Sequence, residues 1–397
     1  MTPQIHTVLM VTRELADDRG YGLGRSLMPI VTALQSQGWR VRYLSQEDLP
    51  ETARVRRTRW LARLGRLPGI KNVARRNLQL GAISERLHMG WFAAKTAKRE
   101  RFSTVYLHDP WLACGFWLGS KWLRLHSVRW GIAEHGFGCY SRATHEDGLT
   151  QGAGVQRFLR RLEAYILSTA HWVTAPTHLS LDQIARDLAL PFTPTHWHAI
   201  PHAAPYIAEH NREEARRSLG WSQDTVYILG IGRLAPLKRF DLLVNAYIDL
   251  ALIHPQLHLQ LLGGGDQVPF QQAADAAGVG DRIHFLRVDD VSPYLAAADI
   301  YVSTSATESF GLANLEALVA QLPCICTAVG GVPEVMGLGA WLIPVDQTAL
   351  THALAELINN PQQRDALAAR AAVQAGHAHT IEWVTAQYAQ IFQNESR

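Results

Sequence analysis

The sequence predicts an α/β protein built from two Rossmann-like, doubly wound domains that face each other across a cleft. Three observations lead there. The length, 397 residues, exceeds one ordinary domain and suits two of roughly 200 residues. Both halves alternate short apolar strands with amphipathic helices, the rhythm of parallel sheets joined by crossover helices. Glycine-rich turns recur where a strand gives way to a helix, at Gly20–Arg25, Gly232–Lys238 and Leu262–Asp266. In such sheets ligands bind beyond the carboxyl ends of the strands.

The first half, residues 1–205, opens with a strand at His6–Thr12. A helix follows at Arg25–Gln37, ended by Gly38 as a C-terminal cap. Strands follow at Arg40–Leu44, Ser103–His108 and Val128–Glu134. The helix Gln156–Thr169 carries Phe158, Leu159, Leu162, Tyr165 and Ile166 at helical spacing. Strands at His171–Ala175 and Trp197–Ile200 complete this half. Pro201–Asn211 is polar and contains prolines, as a linker would.

The second half, residues 206–375, alternates the strand Val226–Gly230, the helix Phe240–Ile253, the strand Leu257–Leu262 and the helix Phe270–Ala277. The strand Ile283–Leu286, the short helix Val291–Ala297 and the strand Ile300–Ser303 come next. Strands at Leu322–Thr327 and Ala340–Ile343 precede helices at Leu350–Ile358 and Pro361–Ala375. A last segment, residues 376–397, holds the helix Ile381–Phe392.

Composition narrows the class. Apolar residues make up 47% and charged ones 18%, so the chain can bury two cores. No apolar run approaches the roughly 18 to 20 residues that cross a bilayer. The start, MTPQIHTVLMVTRE, has no basic leader region and reads as a first strand. Cys114, Cys139, Cys324 and Cys326 lack metal-ligand spacing and read as reduced thiols of a cytoplasmic protein. Residues 1–205 hold 27 basic and 15 acidic side chains, net +12, and residues 206–397 hold 11 and 20, net −9. A basic half joined to an acidic one suggests that the basic half meets an anion.

Five stretches can carry chemistry. The turn containing Gly22 and Gly24 precedes a helix, whose amino end suits an anion; it could equally be a tight connection. A dinucleotide fingerprint would want a small residue where Leu27 stands, which argues against a nicotinamide enzyme. Arg233 and Lys238 flank a strand-to-helix loop and could close on one diphosphate, or form a solvated basic loop. Gly263, Gly264 and Gly265 let a backbone approach a ligand, or a neighbour, closely. Ser309, Phe310, Gly311 and Leu312 would offer backbone N–H groups at a helix start, with Glu308 and Glu316 beside them to accept from hydroxyls. Acids beside an anion seat suit a ligand with both phosphate and neutral hydroxyls, the make-up of a nucleotide sugar. His135, followed by Gly136 and Gly138 at a strand end, is a structural histidine or one that meets substrate. His108, before Asp109 and Pro110, ends the preceding strand in the same manner and ranks below it.

Together these residues resemble the retaining GT-B-fold glycosyltransferases of the large family four, also called glycosyl transferases group 1. The likeness is strong from Ile228 to Val345 and looser in the first half. Gly232, Arg233 and Lys238 match the family's Gly-Arg-x4-Lys, Glu308 and Glu316 its paired glutamates, and Gly330–Glu334 its Gly-Gly-x-Pro-Glu. The triple glycine 263–265 and His135 fit further positions. The resemblance implies a nucleoside diphosphate sugar donor, no cofactor and no metal. By resemblance Arg233 and Lys238 hold the diphosphate, Glu316 the ribose hydroxyls, and Glu308 with the 309–312 amides the transferred hexose. Gly22 and Gly24 form the facing loop, and Arg287 borders the base. The final helix crosses back to the first domain, and the expected setting is cell-envelope glycan biosynthesis. The sequence departs at Arg239 and near Gln321–Leu322, where the family often has glycine, at Pro201–His202–Ala203, and at Arg287.

The segment Arg54–Arg76 has nine basic residues and no acid, with Leu61, Leu64, Leu67 and Ile70 at helical spacing. It could rest on an anionic membrane at its inner face, receive an anionic glycan or lipid-linked acceptor, or be a solvated face. A nucleic-acid partner is disfavoured because aromatic stacking positions are few. Rival readings are a non-catalytic nucleotide-sugar-binding subunit of the same fold, and a GT-B hydrolase or epimerase. A phosphorylase would need a second-domain lysine for its cofactor besides Lys238, the only lysine after residue 205.

Overall fold

The computed structural model describes residues 6–14, 22–64, 69, 72–73, 76–77, 79–146 and 148–393. The chain forms two units, Met1–His202 with Thr380–Arg397, and Ala203–His379.

The first unit is built on a six-stranded sheet of β1 (Thr7–Val11), β2 (Arg40–Leu44), β3 (Thr104–Leu107), β4 (Arg129–Ala133), β5 (Trp172–Ala175) and β6 (Trp197–Ala199). Their spatial order is β2-β1-β3-β4-β5-β6, and every pairing is parallel. Strands such as TVYL and WVTA are buried at every position, as expected where helices cover both faces. The helix Gly22–Ser36 starts three residues earlier than the glycine turn suggests. Helices at Gln79–Glu100, Pro110–Leu123, Tyr140–Glu146 and His178–Asp187 lie outside the sequence expectation. The first two pack backbone to backbone. A methyl on Gly90 would lie 1.9 Å from the Leu112 oxygen, and one on Gly115 would lie 2.1 Å from the Leu87 oxygen. Their closest approach is therefore at glycines, with Gly119 against Ala94, which a search for large apolar residues at helical spacing passes over. The carboxylate of Asp109 caps Pro110–Leu123, accepting from the Trp111 N–H at 2.8 Å.

The last helix, Ile381–Gln393, belongs to this first unit, as the resemblance implies. Tyr388 and Phe392 pack on Tyr106 with ring centroids 5.7 and 5.4 Å apart. Arg129 donates to the Phe392 carbonyl at 3.0 Å.

The second unit holds β7 (Val226–Ile231), β8 (Leu257–Leu262), β9 (Ile283–Leu286), β10 (Ile300–Ser303), β11 (Cys324–Thr327) and β12 (Ala340–Ile343). They form another six-stranded parallel sheet, in the order β12-β11-β10-β7-β8-β9. A helix at Arg212–Leu219, missed in the sequence because only Ala215 and Arg216 of its eight residues are buried, is pinned from within. Arg216 is 1% exposed. It reaches Asp299 at 2.6 Å and donates to the carbonyls of Ala297, Ser222, Gln223 and Thr225. That network ties the entrance of the unit to its sheet. All four cysteines are buried and free. No helix among the described residues is long and apolar enough to cross a membrane.

In both sheets the chain order reverses once, between β1 and β3 in the first and between β7 and β10 in the second. At such a point adjacent loops diverge to opposite faces and leave a crevice at the carboxyl edge.

Candidate functional site

The second unit places its expected site residues on that edge. Gly232 and Arg233 follow β7, Gly263–Gly265 follow β8, Arg287 follows β9, Glu308–Leu312 follow β10, and Gly330–Glu334 follow β11. The loops are laced together by backbone hydrogen bonds. Gly232 donates to Leu262 O and Leu234 to Gly264 O, each at 2.8 Å, and Ala306 donates to Leu237 O at 2.8 Å. Gly331 donates to the Glu308 carbonyl at 2.9 Å, joining the first glutamate to the double glycine.

The glycine triplet divides its labour. A methyl on Gly263 would lie 1.9 Å from the Gly232 oxygen and one on Gly265 would lie 2.7 Å from Leu234 Cβ, so these two serve the neighbouring loop. Gly264 has no atom within 4 Å of its would-be methyl and is the one left facing open space.

Lys238 and Glu308 meet across the reversal point, with Nζ 2.5 Å from Oε2 and side chains 24% and 18% exposed. Lys238 is fixed from behind by Thr304, which donates to its carbonyl at 2.9 Å, and the loop leading to Glu308 by Thr327, which donates to the Ser305 carbonyl at 2.7 Å. Gly311 adopts φ +83°, left-handed, at the amino end of the helix Leu312–Val319. The first N–H groups of the helix that follows have no intrahelical acceptor, and an anion is favoured at such an end. Phe310 fixes this turn by inserting into the core beside Leu229, Tyr301 and Leu315. Glu316 is 3% exposed within the helix. Behind it Tyr301 donates to Asn314 Oδ1 at 2.8 Å, while Asn314 Nδ2 has no partner among the described residues. Burial, then the neighbouring thiols and the two glutamates, hold the Tyr301 hydroxyl well above its ordinary range. Arg287 stands exposed at the end of the outermost strand, and Ser309 is half-buried.

Two departures from the family pattern fall at strained positions. Arg239 has φ +48° and Gln321 φ +59°, the left-handed region where glycine costs least. Arg239 is held there by a forked pair to Asp241, with contacts at 2.8 to 3.1 Å.

In the first unit Gly22 and Gly24 lie within the first helical turn rather than in a loop, and residues 15–21 fall outside the described part. The Gly24 N–H already has an anion: Glu14 Oε1 accepts it at 3.0 Å, while Oε2 takes the Tyr43 hydroxyl at 2.8 Å. Nothing in the glycine pattern pointed to Glu14 as that partner. His135 follows β4, and its Nε2 lies 3.0 Å from Nδ1 of His108 at the end of β3. Burial, then His202 and Arg13, lowers His135 to about 3; burial lowers His202 to about 4. Both are neutral at ordinary pH. Arg86 pairs with Asp109 at 3.0 Å, both nearly buried. Glu163 seats the loop after His135, accepting from the Tyr140 and Ser141 N–H groups at 2.7 and 2.9 Å. Among the described residues no group of three or more His, Cys, Asp or Glu is placed to hold a metal ion.

Two family models match, the glycosyl transferase 4-like domain over residues 21–202 and glycosyl transferases group 1 over residues 211–374. A D-inositol 3-phosphate glycosyltransferase of Actinosynnema mirum is 34% identical over 189 residues, 44% of this chain and 45% of that protein. The chain spans less than half the length of the first curated relatives it matches. Sucrose-phosphate synthase from Thermosynechococcus elongatus superposes with a TM-score of 0.73 at 18% identity, over 98% of each chain. Anabaena HepE, solved with UDP and glucose, does so with a TM-score of 0.66 at 17% identity, over 96% of this chain and 98% of its own. These two likenesses bear on fold, and they carry the GT-B architecture. With both domain models matched in order along one chain, the protein belongs to the GT-B glycosyltransferases of family four, glycosyl transferases group 1.

Proposed function

We propose that this chain transfers a hexosyl group from a nucleoside diphosphate sugar to a hydroxyl acceptor, with retention of anomeric configuration and without a metal. The observation that carries the reading is the Lys238–Glu308 pair at the reversal point of the second sheet, beside the amino end of Leu312–Val319. A cation, bare amides and a carboxylate within one crevice match a ligand that joins a diphosphate to hydroxyls. Lys238 and Arg233 take the diphosphate, and their charge with the helix amides stabilises it as leaving group in place of a metal. Glu308 accepts from the sugar and Glu316 from the ribose, the backbone of Gly264 lies against the ligand, and Arg287 borders the base. That HepE was solved with UDP and with UDP-glucose supports a nucleotide-sugar donor here.

In the first unit His135 meets substrate. The acceptor is anionic, a phosphorylated, glycan or lipid-linked molecule drawn to the basic half. The helix Glu51–Leu64, exposed at every described side chain, provides the contact with it or with an anionic membrane.

The test is a thermal-shift screen of UDP-, GDP- and ADP-sugars, since a ligand that binds only the folded state raises the melting temperature. NMR of the product's anomeric proton then reads the stereochemistry. One donor class should raise the melting point and yield a product of the donor's configuration. No shift with any of the three defeats the reading; a shift with no turnover over a panel of phosphorylated and glycan acceptors favours a non-catalytic binding subunit.

A further inference from the structure

The His108–His135 contact carries more than proximity. His108 closes β3: its N–H donates to the Val11 carbonyl at 3.0 Å, which places it at the reversal point of the first sheet. The residue is 5% exposed. Tyr106 packs edge-on against it at 4.4 Å, and the His135 ring lies nearly parallel to it, 14° apart in plane with centroids at 5.2 Å. Burial, with each histidine opposing charge on a neighbouring one, keeps both rings neutral.

Between two neutral imidazoles, one nitrogen donates and the other accepts. Two arrangements are available. In the first, His135 Nε2–H donates to His108 Nδ1, which puts the His108 proton on Nε2. That nitrogen is buried and has no partner among the described residues. A buried N–H without an acceptor is the rarer and costlier defect. In the second, His108 Nδ1–H donates, its buried Nε2 keeps only a lone pair, and His135 accepts at Nε2. A neutral His135 must then carry its own proton on Nδ1.

We propose that His108 is a positioning residue that donates from Nδ1 to His135 Nε2 and so fixes His135 as the Nδ1–H tautomer, with Nδ1 as the hydrogen-bond donor His135 offers. The consequence for substrate rests on the transferase reading, in which His135 meets substrate; the tautomer itself does not.

The test is a long-range ¹⁵N–¹H spectrum of the full chain labelled in histidine, recorded at pH 7 with no ligand, for wild type, His108→Phe and His108→Asn. Each tautomer has its own nitrogen pattern. Wild type should show His135 protonated at Nδ1 and bare at Nε2. His108→Phe should lose that pattern and populate the Nε2–H form; His108→Asn, whose amide N–H sits near the lost Nδ1–H, should restore it. kcat/KM should fall about tenfold or more in His108→Phe, a scale typical of groups that orient a working histidine, and recover most of the loss in His108→Asn. A wild-type His135 protonated at Nε2 overturns the proposal even if neither variant folds. So does a His108→Phe spectrum unchanged from wild type. A wild-type Nδ1–H pattern in a protein that turns over no nucleotide sugar sinks the transferase reading and sustains the positioning role.

Discussion

Replacing Gly263 by alanine tests how the second-unit crevice is built. The new methyl carbon would lie 1.9 Å from the Gly232 oxygen and 2.6 Å from its carbonyl carbon, backbone atoms that no rotamer change can move aside. The residue also sits at φ +153°, where an L side chain is strained. The loops after β7 and β8 must separate by more than 1 Å, on the order set by ordinary contact distances. That breaks the Gly232-to-Leu262 and Leu234-to-Gly264 hydrogen bonds, both 2.8 Å now. Two such bonds at ~1 kcal/mol each, with ~1–3 kcal/mol for overpacking, give a loss of about 3–5 kcal/mol. For a unit of this size each kcal/mol lowers Tm by ~2–4 °C, so the second-unit transition in calorimetry should drop by about 6–20 °C. Gly264→Ala is the matched control. Its methyl meets nothing within 4 Å, so apo stability should stay within ~0.5 kcal/mol, the range of neutral surface changes. A nucleotide sugar should, however, stabilise that variant less than wild type. Equal melting of Gly263→Ala and wild type, or an equal fall in both variants, would refute this account of the crevice.

Three further outcomes follow from the same geometry. Lys238→Ala and Arg233→Ala should each cut kcat by ~100-fold or more, the scale of losing one preorganised donor to developing charge; wild-type kcat in both would end that role, and activity should persist in excess chelator. Gln321→Gly, which relieves φ +59° at an exposed site, should stabilise the second unit by ~0.5–1 kcal/mol in urea melts, and a destabilised variant would contradict the strain. Burial pushes Glu163 up to about 7 from an ordinary 4.5, against the Ser141 and Tyr140 hydrogen bonds that oppose it. A raised carboxyl favours folding at low pH, so its contribution is complete below about 4.5 and is lost as pH rises to about 7. Glu163→Gln should flatten the decline in first-unit Tm over that window, and an undiminished slope would reject it.

How far the sequence reached depended on what each residue's neighbours were. The strands were legible because a strand covered on both faces is mostly apolar, and runs such as TVLMV, LHLQLL and IYVS say so locally. The Lys238, Glu308 and Gly311 positions were legible because charge and bare glycine at strand ends have few structural uses. The helices Gln79–Glu100 and Pro110–Leu123 were not, since their closest approach is at Gly90, Gly115 and Gly119, whose meaning lies in the partner helix. The departures at Arg239 and Gln321 looked like lost glycines; only their φ values, +48° and +59°, show what those glycines would have done.

The sequence alone therefore determined two α/β units and pointed to candidate site residues in the acidic one, because burial pattern and charge are local properties of the chain. Tertiary structure decided which glycine of the 263–265 triplet faces open space, that Glu14 fills the first helix's amino end, and that His108 reaches His135. The first and last of these depend on sheet order, which sets β7 beside β8 and β3 beside β4, and the reversal between β7 and β10 likewise brings together Lys238 and Glu308, 70 residues apart in the chain. No local pattern encodes which strand ends become neighbours.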